Sequence, residues 1–492
     1  MVAETDPLPK TLTSSDDHNI TTQTRLAPHT NELTERRRAA LAEIDTAKFG
    51  WFHVRAVLVS GVGFFTDAYD IFAINIASIM LGYVLKQGAS LTTNQDLGIK
   101  VATPVGTFCG QLLFGWLADV YGRKRMYGIE LMIIIIATVG QAVSGSGPGA
   151  SLIGVLIMWR FFLGLGIGGD YPLSACITSE FAAIRIRGRM MTAVFASQGF
   201  GQLTAAIVAV VVVKAFEGSI KEDLIAGESV DYCWRLLIGL GALPGAVALY
   251  FRLTIPETPR YTMDIERDIQ GAAGDVDAFL STGGYAHGLG LNSSIVLKAI
   301  GFGAATTGTK NEQIYQTLIN VSSGNVILSV AGLIPGYWVA FAFIDWWGRK
   351  PIQIMGFSVL TVLFIIMGTA YHQLIQHTVG LFIAFYCFAN FFQNFGPNTT
   401  TFVIPGECFP TRYRSTSHGI SAASGKLGAI IAQVGFARLK DIGGKDQFID
   451  HIFQIFAAFM FTGLLSTFLL PETKGKSLEE LSGEDQDEFV QS

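Results

Sequence analysis

The heptapeptide DVYGRKR at Asp119–Arg125 returns 226 residues later as DWWGRKP at Asp345–Pro351. Two further motifs recur in the same order: EFAAIRIRG from Glu180 returns as ECFPTRYRS from Glu407, and PETPR from Pro256 returns as PETKG from Pro471. If these segments were only basic loops that obey the positive-inside rule, their arginines would be explained. The recurrence of the same motifs in the same order would not be explained. Three motifs repeated in order therefore indicate two homologous halves, each closed by a P-E-T element.

The stretches between these motifs are long and apolar. Half of the 492 residues are hydrophobic, 15% are charged and the mean hydropathy is +0.42, which is typical of a polytopic membrane protein. About 20 apolar residues span a bilayer. On this basis we predict eleven clear spans, near residues 55–85, 97–118, 126–145, 151–179, 190–215, 234–255, 324–345, 351–371, 379–404, 415–437 and 450–470.

The sequence carries no signature of an enzyme. The net charge of −5 gives no indication of a nucleic-acid partner. The segment GISAASGKLG resembles a phosphate-binding P-loop, but five residues separate its glycines and Leu427 stands where Ser or Thr belongs. Neither a catalytic triad nor a metal-ligand cluster is recognisable, so we predict a protein that is not an enzyme and needs no metal or cofactor.

Lysine and arginine mark one side of the membrane. They concentrate in YGRKRM, IRIRGRM, ETPRYTMDIERD, WWGRKP, TRYRST and ETKGKS, which the positive-inside rule places in the cytoplasm together with the N-terminus. Two D-x-x-G-R-K loops on one side require an even number of crossings between them, yet only five are clear. The missing crossing falls near residue 281, in the Gly-rich stretch STGGYAHGLGLNSSIVLKAIGFGAATTG. Either this stretch crosses as a poor helix supported by its neighbours, or it is the remnant of a lost span.

We therefore predict an all-α membrane protein of the major facilitator fold, with two parallel six-helix bundles and nominally twelve transmembrane helices, about eleven of them clear. Its predicted parts are a disordered cytoplasmic tail (1–50), an N-terminal bundle (51–256), a shortened cytoplasmic connector (257–282), a C-terminal bundle with a defective first helix (283–471) and an acidic cytoplasmic tail (472–492).

Polar side chains at bilayer depth are costly, so each needs a structural or functional reason. The predicted spans hold the following set: Asp67, Asp70, Asp170, Tyr171, Gln198, Gln202, Asn390, Gln393, Asn394, Asn398 and Lys426. An amide can serve as an interhelical hydrogen bond, and Lys426 can pair with a buried carboxylate for stability alone. Taken together, neutral donors, one lysine and several carboxylates suit a polar or anionic solute. Protonation of a carboxylate beside an anion favours binding and deprotonation favours release, which is the linkage that proton symport requires.

The cytoplasmic ends of the spans carry a second polar set, which we predict to be a gating network: Asp119, Arg123, Glu180, Arg187, Asp345, Arg349, Glu407 and Arg414. Within it, Glu180 and Glu407 are expected to lie beside the arginines of their own motifs.

The stretch GGDYPLSACITSE at Gly168–Glu180 resembles the signature of the phosphate:proton symporters of fungi and plants. GVGFFTDAYD, NFGPNTTTFVIPGECFPTRYRSTSHGISAASGKLGAI and PGYWVAFAFIDWWGRKPIQIMGF resemble the same family, its fungal branch most closely, and the match runs from Gly50 to Lys476. The resemblance implies a plasma-membrane protein of twelve helices that moves inorganic phosphate inward with protons, in the lipid bilayer and without a cofactor.

Carried over by position, the resemblance implies the following site: phosphate contacts from Tyr171, Gln198 and either Asn394 or Asn398, accessory contacts from Gln202 and Lys426, and proton coupling by Asp67, Asp70 and Asp170.

One helix departs from the family pattern. The family's seventh helix carries Trp, Asp and Tyr at spacings of four, but this chain has no acidic residue between Ala278 and Asn311. Only Tyr285 or His287 offers a replacement for the Tyr. Two alternatives therefore stay open: a transporter-like phosphate sensor or inactive carrier, and a proton symporter of another small solute such as a sugar or organic anion.

Overall fold

The computed structural model describes residues 41–88, 91–222, 227–254, 257–265, 308–444 and 447–482. Within these ranges the chain is helical, without a β-strand, and eleven helical segments are long and apolar enough to cross a membrane. The prediction of an all-α membrane protein with about eleven clear spans is confirmed.

Six of the spans lie in the first half of the chain. Its helices are α1 (Trp51–Val84), α2 (Thr93–Tyr121), α3 (Arg123–Ala142), α4 (Leu152–Phe181), α5 (Arg187–Ala196), α6 (Gln198–Ala215), the short α7 (Glu217–Glu222), α8 (Gly227–Gly239), α9 (Ala242–Thr254) and the short α10 (Pro259–Asp264). Residues 41–46, at the end of the predicted tail, are also helical. Local chemistry sets the helix starts: the Ser151 hydroxyl accepts the Gly154 N–H at 3.1 Å and caps α4.

Five spans lie in the second half of the described chain. Its helices are α11 (Lys310–Leu328), α12 (Ile334–Trp347), α13 (Arg349–Thr369), the short α14 (Tyr371–His377), α15 (Val379–Phe395), α16 (Pro397–Cys408), α17 (Arg414–Leu439), α18 (Ile449–Thr467) and the short α19 (Leu478–Ser482). The crossing expected near residue 281, with Tyr285 and His287, and most of the predicted connector 257–282 lie outside the described residues.

The repeated D-x-x-G-R-K motif produces the same turn in both halves. Gly122 separates α2 from α3 with φ +93°, and Gly348 separates α12 from α13 with φ +105°. Residues with a side chain avoid this backbone region, whereas glycine enters it freely. The sequence repeat is thus a repeat of backbone geometry.

The two halves meet where α17 lies along α2, where α11 lies along α6, and where α12 lies against α5. At the first contact a Cβ on Gly419 would stand 2.3 Å from the Gln111 carbonyl oxygen, and a Cβ on Gly115 would stand 2.8 Å from the Ser415 carbonyl oxygen. The absence of side chains therefore lets the α2 and α17 backbones touch, as small residues commonly do between membrane helices.

Several spans are interrupted rather than continuous. A break at Ser197 separates α5 from α6, a π-helical turn over Ser329–Leu333 precedes Pro335, and Gly396 with Pro397 separates α15 from α16. Proline has no N–H to continue the helical bonds before it. Transporters commonly place their sites at such discontinuities, and these breaks flank the polar side chains described next.

Candidate functional site

Tyr171 of α4 and Lys426 of α17 meet across the two halves. The Lys426 ammonium donates to the Tyr171 hydroxyl at 3.4 Å and lies 4.6 Å from the centre of its ring. Both side chains are half-buried. Among the described residues no carboxylate pairs with Lys426, so the alternative of a structural ion pair finds no support there. The contact joins two positions that are 255 residues apart.

Tyr171 also belongs to an aromatic cluster, defined as Phe64, Tyr171, Phe195, Tyr337 and Phe402. Phe195 occupies its centre, with ring centroids 4.7 Å from Phe402, 5.6 Å from Phe64, 5.9 Å from Tyr337 and 6.5 Å from Tyr171. The cluster draws one ring from each of α1, α4, α5, α12 and α16, so it spans both halves.

The amides of the tenth nominal helix form a ladder that ends on Tyr337. The Asn394 Nδ2 donates to the Asn390 backbone oxygen at 2.7 Å. The Asn398 Nδ2 donates to both the Asn394 Oδ1 and the Tyr337 hydroxyl, each at 2.8 Å. Gln393, in contrast, is exposed and takes no part in the ladder.

Two glutamines follow the break in the fifth span. Gln198 and Gln202 of α6 are buried, with 7% and 3% of their surface exposed. The Gln198 Nε2 and the Gln202 Oε1 have no hydrogen-bond partner among the described residues. A buried amide without a partner is costly, so these atoms can serve as hydrogen-bonding groups for a polar solute.

Asp170 precedes Tyr171 but has a separate set of partners. Its oxygens accept from Ser174 at 2.6 Å and from the Arg252 guanidinium at 2.9 Å. The same Arg252 also pairs with Glu130 and lies 3.8 Å from the ring centre of Tyr127. All of these groups are fully buried.

Sequence reasoning missed Glu130 and Arg252, which complete this cluster. Each is a charged residue among apolar neighbours of a predicted span, in YGIELMIIII and ALYFRLTIP respectively. The cost of burying a charge in a bilayer is the signal that could have found them. Their pairing could not be foreseen, since 122 residues separate the two partners.

The two aspartates of α1 face different partners although they are spaced i, i+3. Asp70 accepts from the Thr138 hydroxyl at 2.6 Å. Both carboxylate oxygens of Asp67 are buried without a hydrogen-bond partner among the described residues. Asp67 is instead near enough to Asp170, Glu130 and Arg252 to interact with them electrostatically. Three carboxylates therefore face a single arginine.

At the helix ends that carry the basic motifs, residues of the first half hold the start of α17. The Asp119 carboxylate accepts the Thr416 N–H at 2.7 Å, and Arg123 donates to the Thr411 carbonyl oxygen at 2.6 Å. Glu180 pairs with Arg414 of the other half at 3.0 Å and with Arg123 at 3.4 Å. The expectation that Glu180 lies beside the arginines of its own motif is wrong, because its partners come from α3 and α17.

The second half repeats the pattern with different partners. Arg349 binds Glu407 at 2.7 Å and Asp345 at 3.0 Å, so Glu407 also pairs outside its own motif. The Asp345 carboxylate accepts the Arg189 N–H of the first half at 2.9 Å. Arg187 donates to the Lys476 carbonyl oxygen at 3.0 Å, which adds another contact between the halves. The two halves are thus joined at the ends that carry the basic motifs.

The ends of the described chain meet at this side as well. Arg260 binds Asp45, ahead of α1, at 2.9 Å and Glu479 of α19 at 3.0 Å. Burial by itself raises the pKa of the Glu479 carboxyl, but the Arg260 guanidinium and its hydrogen bond outweigh burial and lower that pKa to about 2. Glu479 is therefore charged at neutral pH.

The described residues offer no other kind of centre. They contain no group of three or more His, Cys, Asp or Glu side chains that could hold a metal ion. Cys109, Cys176, Cys233, Cys387 and Cys408 are all free thiols.

The profile of the sugar (and other) transporter family matches residues 56–278 and 308–484. The chain belongs to this family. The match leaves out residues 279–307, where the missing crossing is expected.

Relatives of known name place the chain more closely within the family. A repressible high-affinity phosphate permease of Neurospora crassa is 46% identical over 524 residues, covering 93% of this chain and 91% of the relative. Inorganic phosphate transporter PHO84 of Saccharomyces cerevisiae is 44% identical, with 92% and 88% covered, and inorganic phosphate transporter 1-4 of Arabidopsis thaliana is 36% identical, with 92% and 97% covered. Membership of the fungal and plant phosphate transporter family is confirmed. These relatives are named as transporters or permeases, not as enzymes.

The alignment with the Neurospora relative also shows a difference in length between the two chains. Its 524 positions exceed the 492 residues of this chain, so the Neurospora relative has at least 32 positions without a counterpart here.

Among solved structures, the major facilitator superfamily proton:xylose symporter XylE matches with a TM-score of 0.65 and 19% identity, covering 88% of this chain and 98% of that one. At this identity the likeness concerns the fold alone, and it confirms the major facilitator architecture.

Proposed function

We propose that this chain carries inorganic phosphate inward with protons across the plasma membrane by alternating access. The observation that carries the proposal is the contact between Tyr171 and Lys426, where the two halves meet over one hydroxyl and one cation. Buried amide donors such as Gln198 add hydrogen bonds without further charge. Neutral donors with a single lysine suit a carrier, since a clamp of charged groups would release the anion slowly.

Proton coupling is assigned to the carboxylates behind Tyr171. Among the described residues, Asp67, Asp170 and Glu130 share Arg252 as their cation, so full ionisation would leave net negative charge buried in the bilayer. Uptake of a proton by this set lowers that negative charge before the anion enters beside it. Loss of the proton restores the repulsion and favours release of the anion. Asp70, which is hydrogen-bonded to Thr138, extends the route of the proton along α1.

We assign gating to the cytoplasmic contacts between the halves. The pairs Glu180–Arg414 and Asp119–Thr416 hold α17 against the first half and close the inner side. Opening to the cytoplasm requires that these contacts separate, whereas the pair Arg349–Glu407 lies within the second half and moves with it.

The cytoplasmic assignment of both termini follows from the positive-inside rule if a twelfth span forms. The predicted division into tails, bundles and connector belongs to the same proposal, as does the plasma-membrane location.

The test is uptake of radiolabelled phosphate by proteoliposomes that contain the full chain, under an inward proton gradient. Accumulation should collapse with a protonophore and be competed by arsenate, a close phosphate mimic, but not by excess xylose. Competition by the sugar instead would favour a carrier of another solute.

A phosphate sensor is the second candidate, and the unmatched residues 279–307 favour it. A sensor would bind phosphate without accumulating it. Sequencing the transcript across codons 265–300 bears on the same point, since an encoded extra helix would restore the family's site and favour transport.

A further inference from the structure

Tyr337 was not among the residues predicted from the sequence, yet it joins the aromatic cluster to the amide ladder. It lies on α12 just after the π-helical turn and is 1% exposed. Its ring centroid stands 5.9 Å from that of Phe195, which in turn stands 6.5 Å from Tyr171. Tyr337 therefore approaches the Tyr171–Lys426 contact from the second half.

The amide ladder fixes which atom of each side chain donates. The Asn390 backbone oxygen can only accept, so the Asn394 atom that bonds it must be Nδ2. The Asn394 Oδ1 then faces Asn398, whose contacting atom must also be Nδ2. Since this same Nδ2 contacts Tyr337, the Tyr337 hydroxyl is the acceptor of that bond. Its own hydrogen is left to donate, and no acceptor for it is found among the described residues.

Both asparagines are occupied by this arrangement. Asn394 uses its Nδ2 on Asn390 and its Oδ1 on Asn398, and Asn398 directs its Nδ2 at two partners. Asn398 thus has no N–H left for an anion, whereas Asn394 has spent one of its two. The hydroxyl at the end of the ladder is the second-half donor whose ring belongs to the aromatic cluster.

The hydroxyl of Tyr171, in the first half, is likewise a hydrogen-bond acceptor. Its hydroxyl accepts from the Lys426 ammonium, which has no lone pair to accept in return. The hydrogen of Tyr171 is thus also left to donate. Two tyrosine hydroxyls, one from each half, therefore each keep a hydrogen to donate, and the buried Nε2 of Gln198 also lacks a partner in the described chain.

We propose that Tyr337 is a phosphate-binding residue that donates its hydroxyl hydrogen to an anion oxygen, with Asn398 as the positioning residue that orients it. This inference rests on the proposed function and names the second-half donor for it. Tyrosine supplies that donor without charge, so the anion gains a directed hydrogen bond and keeps the ability to leave.

The experiment measures equilibrium binding of radiolabelled inorganic phosphate to the purified full chain, with Tyr337→Phe as the test variant. Loss of one hydrogen bond to a charged group should weaken binding by about tenfold to a hundredfold. Tyr315→Phe is the matched control, because its hydroxyl donates to Glu217 at 2.9 Å, away from the aromatic cluster. That variant should bind phosphate as the wild type does.

Asn398→Leu and the double variant Asn398→Leu/Tyr337→Phe separate positioning from contact. Both changes act through one hydroxyl, so the double variant should bind little worse than Tyr337→Phe alone. Losses that simply add would show that Asn398 contacts phosphate independently, which overturns its assigned role. If Tyr337→Phe does not fold, as judged by thermal unfolding, an unchanged affinity in Asn398→Leu overturns the proposal.

The outcomes distinguish this inference from the function on which it rests. A wild-type chain that binds no phosphate overturns both. A wild type that binds phosphate and a folded Tyr337→Phe variant of equal affinity overturn only the role of Tyr337.

Discussion

Replacing Gly419 with alanine should open the cytoplasmic side of the protein. A Cβ at this position would stand 2.3 Å from the Gln111 carbonyl oxygen, whereas ordinary contacts begin at 3.4 Å. The α2 and α17 backbones must therefore separate by about 1 Å, because the obstructing atom is backbone and cannot rotate away. Overpacking of this kind costs about 1–3 kcal/mol. The clash exists only while the two helices touch, so the cost falls on the inward-closed state.

A cost of this size shifts the balance between closed and open forms by about 5- to 150-fold. Cys176 can report the shift, since it is fully buried on α4, four residues before Glu180 and beside Ser415. The assay is the rate at which a maleimide alkylates Cys176 in a background where the other four cysteines are replaced by alanine. Gly419→Ala should raise that rate in proportion to the open fraction.

The chain supplies a matched control on the same helix. No described atom lies within 4 Å of a Cβ built on Gly428, so Gly428→Ala should leave the rate unchanged. Equal alkylation rates in Gly419→Ala, Gly428→Ala and the parent would refute the argument that this contact holds the inner side closed.

Three further predictions concern single side chains. Asp170→Asn should abolish phosphate accumulation driven by a pH gradient while leaving phosphate exchange without a gradient, because an amide cannot carry the coupled proton; wild-type accumulation would exclude the assigned role. Lys426→Met should raise the KM for phosphate uptake by about tenfold, since it removes the cation that contacts Tyr171, and an unchanged KM would remove Lys426 from the site. Glu479→Gln should lower the Tm at pH 7 relative to Glu480→Gln, which changes an exposed neighbour and serves as the control. Because the pKa of Glu479 is lowered to about 2 in the folded protein, the stabilising charge of Glu479 is fully present above the unfolded pKa of about 4.5. That stabilisation is lost as the pH falls toward 2. If the Tm difference between Glu479→Gln and Glu480→Gln did not become smaller below about pH 4, the stabilising role of the Glu479 charge would be contradicted.

The pattern of apolar stretches and charged loops in the sequence predicted much of the fold. The long apolar stretches predicted all eleven spans, because a bilayer imposes one length and one polarity on every crossing. The repeated motifs predicted a repeated turn, which Gly122 and Gly348 form with φ above +90°. The parity of the basic loops pointed to residues near 281, and the family match is interrupted over 279–307.

The candidate site was only partly foreseeable. Tyr171, Gln198 and Lys426 stood out as polar residues in apolar stretches, and the structure leaves Gln198 with an unpartnered amide and brings Tyr171 to Lys426. Tyr337 gave no such signal, because a tyrosine between apolar neighbours is equally at home in a packed core. Its distinction is the bond from Asn398, 61 residues away.

The sequence alone therefore determined the membrane class and the two repeated halves, since these depend on composition and order along the chain, and it predicts the side of each basic loop. Only the tertiary structure decided the partners. Asp170 binds Arg252, which follows it by 82 residues, and Glu180 binds Arg414, which follows it by 234. Helix rotation and packing set which faces meet, and these depend on contacts across the whole molecule. No local pattern records them.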